Sequence, residues 1–87
     1  TNPTHIAVAL RYEGEAMAAP KVVAKGLGAL AERIRTIARA HAVPVIHNPP
    51  LARALHAGVD LGAEVPPAHY RAVAEVIGYV LRLRAGR

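Results

Sequence analysis

The sequence predicts an α/β domain, a small, mostly parallel or mixed sheet surrounded by helices. Three observations predict it. Ile6, Val8, Leu10 and Tyr12 alternate with Ala7, Ala9 and Arg11, the period of a strand with one apolar face. Leu27, Leu30, Ile34, Ile37 and His41 recur at spacings of three and four, one face of a helix. Prolines and glycines punctuate the chain between such segments and give the order β, β, α, β, α, α.

The first strand ends at Glu13-Gly14-Glu15, and a loop runs to Ala19-Pro20. Lys21-Val22-Val23-Ala24-Lys25 reads as a second short strand closed by Gly26, and its flanking lysines suit a sheet edge, where charge discourages strand addition. In the first helix Glu32, Arg33, Arg35 and Arg39 fall largely off the apolar stripe, and Pro44 stops the helix by removing a backbone donor. Val43-Pro44-Val45-Ile46-His47 reads as a third strand, short and buried. A helix between the second and third strands fits a right-handed crossover, which predicts that those strands are parallel neighbours. Asn48 is a good N-cap and Pro49 suits the first helical position. Leu51, Ala54 and Leu55 supply the apolar side of that helix, and Gly58 closes it. After a loop from Val59 to Val65, Pro66-Pro67 opens a last helix whose core stripe is Tyr70, Val73, Ala74, Ile77, Val80 and Leu81. Arg82, Arg84 and Arg87 lie near its C-terminus, where positive charge complements the helix dipole.

The length of 87 residues predicts one domain over residues 1–87. A chain of this size buries only about 60–65% of its surface, so it folds with little stability to spare. It has no cysteine, which excludes thiol chemistry and cysteine zinc sites and fits a reducing compartment. Arg33, Arg35 and Arg39 break the first long apolar segment, and Glu75, Arg82 and Arg84 break the second, so neither reads as a membrane span. Thr1-Asn2-Pro3 has neither the basic nor the apolar region of a signal peptide. The formal charge of +5 suits acidic partners, anionic lipid or nucleic acid. Its arginines are spread out rather than clustered, which favours a solvated surface.

Thr1-Asn2-Pro3-Thr4-His5 carries the chemistry. Asn-Pro alone is ordinarily a turn, and Asn48-Pro49 needs no more than the capping explanation. Asparagine has one further option. Its side-chain amide nitrogen can attack its own carbonyl carbon, forming a succinimide and breaking the bond to the next residue. That requires near-attack geometry within one residue and support for the developing oxyanion. The competing reaction, deamidation, needs the backbone nitrogen of the next residue, and Pro3 has no N–H to lose. The tertiary amide therefore biases Asn2 toward chain scission. Thr4 is expected to bond the loop backbone. His5 either relays a proton, as imidazole can near neutrality, or acts as a hydrogen-bonding turn residue.

Other chemistry lacks a pattern. His41, His47, His56 and His69 show no zinc spacing, and no metal or cofactor is expected. Glu13, Glu15, Asp60, Glu64 and Glu75 form no paired-carboxylate motif, and the absence of serine excludes a Ser-His-Asp triad. Gly26-Leu27-Gly28 lacks the remainder of a phosphate loop. Ala19-Pro20 to Gly26 is either an edge that pairs with an extended peptide or an ordinary edge strand. Leu51, Ala52 and Leu55 are read as core rather than as an exposed groove.

Asn2-Pro3-Thr4-His5 followed by Ile6-Ala7-Val8-Ala9-Leu10-Arg11-Tyr12 resembles the NPTH cleavage loop and following strand of the FlhB/YscU family of type III export switch proteins. The resemblance continues in Ala19-Pro20-Lys21-Val22-Val23-Ala24-Lys25-Gly26, in Val43-Pro44-Val45-Ile46 with Asn48-Pro49-Pro50-Leu51-Ala52-Arg53-Ala54-Leu55, and in Tyr70-Arg71-Ala72-Val73-Ala74-Glu75-Val76-Ile77 with Tyr79-Val80. A tetrapeptide is a weak signal; four ordered blocks covering nearly the whole chain are a strong one. The wording is closest to the flagellar branch.

The resemblance implies a sheet of about four strands within about four helices, the first strand being largely missing because only Thr1 precedes Asn2. It implies an inner-membrane export protein whose transmembrane part and linker precede this cytoplasmic domain. The domain would cut itself between Asn2 and Pro3, with Thr4 and His5 completing the site, and keep both pieces associated. It is thus a single-event self-cleaving module rather than a turnover enzyme. Cleavage would change export from hook-type to filament-type subunits. Implied partners are export substrates and their chaperones, the hook-length control protein, other gate and ATPase-complex components and the chain's own transmembrane part. Two alternatives stand beside it. One is a stand-alone paralogue without membrane helices. The other is a basic nucleic-acid binder, against which count three tyrosines, no Phe or Trp for base stacking and no recognition motif.

Overall fold

The computed structural model describes residues 5–14 and 19–85. A three-stranded sheet lies between helices. β1 (Ile6–Arg11) is central, with β2 (Lys21–Leu27) on one side and β3 (Val45–Ile46) on the other, both antiparallel to it. Three α-helices follow the sequence order: α1 (Ala29–Ala40), α2 (Pro49–Gly58) and α3 (Tyr70–Ala85), the last preceded by a 3₁₀ turn over Pro67–His69.

The α/β class is as read, but two details of the sheet are corrected. Three strands, not about four, occur among the described residues. β2 and β3 do run parallel to one another, yet β1 lies between them, so the described sheet is purely antiparallel. A crossover helix fixes the relative direction of two strands, not their adjacency. β1 takes the middle because it is apolar on both faces: Ile6 to Leu10 are all buried.

Alternation along β1 divides the core in two. Ile6, Val8 and Leu10 pack with Val22, Ile46, Leu55, Val73 and Ile77 under α2 and α3. Ala7 and Ala9 pack with Ala31, Ala38 and Val45 under α1. Small side chains on both sides let α1 lie close to the sheet. This turns the apolar stripe of α1 from its expected place: Ala31 and Ala38 are buried, while Leu30 and Ile37 are 52% and 53% exposed. Leu30 and Ile34 lie over Gly26, where an added Cβ would stand 2.5 Å from Leu30 Cγ. The stretch is thus short of side chain where α1 crosses β2.

β2 passes into α1 without a linker. Gly28 makes the turn at φ 59° and ψ −128°, a conformation closed to most side chains. β2 also carries an irregularity opposite Ala9 and Leu10, whose partners are Ala24 and Val22, leaving Val23 as the extra residue. At its other end α1 closes in a Schellman motif, with the Val43 N–H donating to Ala38 C=O (2.9 Å) and Ala42 at φ 55°.

Asn48 caps α2 as read, its side-chain oxygen accepting from Leu51 N–H at 3.1 Å. Ala52, not Ala54, joins Leu55 in the core. Among the described side chains of α3, Val73 and Ile77 are buried; Tyr70 and Leu81, expected in the core, are 42% and 43% exposed. β3 is two residues long, so the distal half of α3 has little sheet to cover. No described helix is long and apolar enough to cross a membrane.

Candidate functional site

Asn2, Pro3 and Thr4 lie outside the described residues, while His5 stands at the threshold of β1. Its backbone is tied down, because Gly28 N–H donates to His5 C=O at 3.0 Å. Its side chain faces α1, with Nδ1 3.3 Å from Oε2 of Glu32. That same carboxylate oxygen accepts from Arg35 Nη1 at 2.8 Å, and Arg35 Nη2 donates to Ile6 C=O at 2.7 Å. The first turns of α1 thus grip the residue leaving the Asn-Pro segment by both main chain and side chain. Sequence reading missed Glu32 and Arg35. A spacing of three is that of neighbours on one helix face, but only the fold shows that Glu32 meets His5.

Among the depressions of the surface, two mostly apolar ones border α3. One, about 370 Å³, lies between the end of β1, the start of β2 and α3, lined by Tyr12, Pro20, Tyr70, Ala74, Ile77, Gly78 and Leu81. None of these lining side chains is charged. The other, about 300 Å³, lies beside β3, between Ala38 and Arg39 of α1 and Val76, Tyr79, Val80 and Leu83 of α3. Val43, Val45 and His47 form its floor.

The β2 edge is less open than an edge strand suggests. Val22 exchanges hydrogen bonds with the 62–63 segment, its N–H donating to Ala63 C=O (3.0 Å) and its C=O accepting from Gly62 N–H (2.7 Å). Val65 N–H adds a bond to Pro20 C=O at 2.8 Å. The stretch read as a loop therefore covers the first half of that edge. Among the described residues no cluster of three His or acidic side chains is disposed to hold a metal.

A family model described as the "FlhB HrpN YscU SpaS Family" matches residues 1–80. The chain belongs to that family. It is 53% identical over 81 residues to the flagellar biosynthetic protein FlhB of Aquifex aeolicus, covering 93% of this chain and 23% of that protein. It is 52% identical over 87 residues to FlhB of Salmonella typhimurium, covering 100% of this chain and 23% of that protein. The chain thus spans about a quarter of these relatives. Among solved structures, the PscU C-terminal domain matches with a TM-score of 0.77 at 37% identity, covering 90% of this chain and 99% of that one. A mutated EscU/SpaS C-terminal domain gives a TM-score of 0.79 at 31% identity, covering 92% and 99%. The fold is thus that of the family's C-terminal domains.

Proposed function

We propose that this chain is the C-terminal switch module of a flagellar type III export protein, which cuts itself between Asn2 and Pro3 and thereby changes the class of cargo admitted. The observation that carries the reading is the hold of α1 on His5 and Ile6, immediately downstream of Asn2-Pro3-Thr4. A scissile turn needs at least one fixed end if the carboxamide is to stay near its own carbonyl. Thr4 and His5 complete the site, and the event occurs once per chain, without turnover.

The depression beside β3 supports a seat for the strand that precedes the cut. The first half of the β2 edge is covered, whereas among the described residues β3 pairs with β1 alone. A strand seated outside β3 would lie two spacings from β1, about 10 Å, and four residues span up to about 13 Å. Such a strand would keep the two pieces together after scission and join the module to its transmembrane part on the cytoplasmic face of the inner membrane. The uncharged groove over Ala74 and Ile77 suits apolar segments of export substrates or their chaperones. The hook-length control protein and the gate and ATPase components belong to the same assembly in this reading.

The test is intact-mass spectrometry of the chain expressed with the segment that precedes it in its gene. Two fragments meeting at Asn2 and Pro3 are expected, with none at Asn48 and Pro49, and a single uncut mass for Asn2→Ala. An uncut wild-type chain overturns the reading.

A further inference from the structure

We propose that the second half of the β2 edge docks an extended peptide of apolar and acidic residues: outward backbone groups of Lys25 and Leu27 lie there beside an apolar flank of α1 that carries Arg33. The site is separate from the Asn2-Pro3 segment and from the groove over Ala74 and Ile77, and it depends on neither reading. Ile6 pairs with Leu27, Ala7 with Gly26 and Val8 with Lys25, and Gly28 N–H donates to His5 C=O at 3.0 Å. Hydrogen-bonded and non-hydrogen-bonded pairs alternate along an antiparallel ladder. The bond at His5 therefore makes Gly26 a residue that bonds β1, while Lys25 and Leu27 turn their N–H and C=O groups away from it. The 62–65 segment bonds Pro20 and Val22, and among the described residues its bonds go no further along the edge. Lys25, the charged residue of this half, has its ammonium tied to the carbonyls of His56 and Val59 at 2.8 and 2.7 Å. Open backbone groups on a sheet edge take an extended strand, whereas a helix keeps its own groups bonded to itself.

Side chains define the rest of the occupant. Leu30 and Ile37, seven positions apart, share one flank of α1, and Leu30 with Ile34 overhangs Gly26. Both Leu30 and Ile37 are half exposed. Leu27, opposite Ile6 on the other face of the sheet, is 56% exposed. A strand laid along this edge sends alternate side chains to the two faces, and it meets apolar surface on both. Arg33, three positions from Leu30 and four from Ile37, is exposed on the same flank. It has no hydrogen-bond or ion-pair partner among the described residues. Glu32, the carboxylate of α1, is engaged by Arg35 on the opposite flank. In a chain of formal charge +5, the unmatched group at this edge is a cation, and its complement is a carboxylate.

The chain with its preceding segment is titrated with a short synthetic peptide of valine and threonine bearing two adjacent central glutamates, one for each face. In a control peptide both are lysine. The glutamate peptide should bind with a Kd of about 1 mM or below, at least tenfold more tightly than the lysine peptide, and more weakly as salt rises. At saturation, amide exchange at Lys25 and Leu27 should slow severalfold, while Gly26, bonded to β1 throughout, stays unchanged. Leu30→Glu with Ile37→Glu should weaken binding at least tenfold, and Arg33→Glu should reverse the preference between the peptides. Ala74→Asp should leave binding as it is. Thermal unfolding checks each variant, and Arg33→Glu, at an exposed position, keeps the test open if the double variant unfolds. No binding by the glutamate peptide, equal binding of the two peptides, or binding without slowed exchange at Lys25 and Leu27 overturns the proposal. So does protection of those two amides that rises with chain concentration and needs no peptide, because the occupant is then a second copy of this chain.

Discussion

The ammonium of Lys25 donates to the carbonyl of Val59 at 2.7 Å and to that of His56 at 2.8 Å, so a β2 lysine closes the C-terminus of α2. Helix ends leave carbonyls without intrahelical donors, and the dipole there favours positive charge. This lysine is therefore an internal brace between sheet and helix as well as an edge charge. Lys25→Met should lower unfolding free energy by about 2 kcal/mol, the scale of hydrogen bonds to a charged group. Urea denaturation checks it; an unchanged midpoint contradicts the brace.

Ala42 ends α1 in the left-handed region at φ 55°, where glycine is the usual occupant. Ala42→Gly should raise stability by about 0.5–1 kcal/mol, because relief of Cβ crowding outweighs the added freedom of the unfolded chain. The thermal midpoint should rise by a few degrees.

Gly26 meets Leu30 where α1 crosses β2. Gly26→Ala should destabilise by about 1 kcal/mol, the lower end of overpacking effects. Leu30 is half exposed, so Leu30→Ala removes the obstacle without opening a core cavity. In that background most of the Gly26→Ala penalty should vanish, Ile34 Cδ1 at 3.1 Å being the remaining close neighbour, and a double-mutant cycle by urea unfolding measures it.

The two Asn-Pro pairs should separate cleanly. Asn48 bonds Leu51 N–H as an N-cap, so Asn48→Ala should lower stability by about 1 kcal/mol. It should leave scission at Asn2 untouched. Mass spectrometry beside calorimetry resolves the two effects.

Ala74 lines the uncharged groove yet is itself exposed. Ala74→Asp should change stability by less than about 1 kcal/mol, as surface substitutions do. If the groove takes apolar export segments, affinity for them should fall at least tenfold, since an unpaired carboxylate would be desolvated on binding. Titration of a fluorescent substrate peptide measures it.

Periodicity and punctuation alone determined the element order, the Asn48 cap and the apolar strand Ile6–Arg11, because these are set by bonds and steric limits within a few residues. The scission proposed at Asn2-Pro3 would have an equally local cause, the N–H that Pro3 lacks. Tertiary structure decided the rest. It put β1 between β2 and β3, which the crossover rule leaves open. It rotated α1 so that Ala31 and Ala38, not Leu30 and Ile37, meet the alanines of β1, because a helix turns its smallest side chains toward the surface it approaches most closely. It also brought Glu32 to His5 and Arg35 to Ile6, a meeting of residues 27 or more positions apart whose spacing in the chain carries no sign of it.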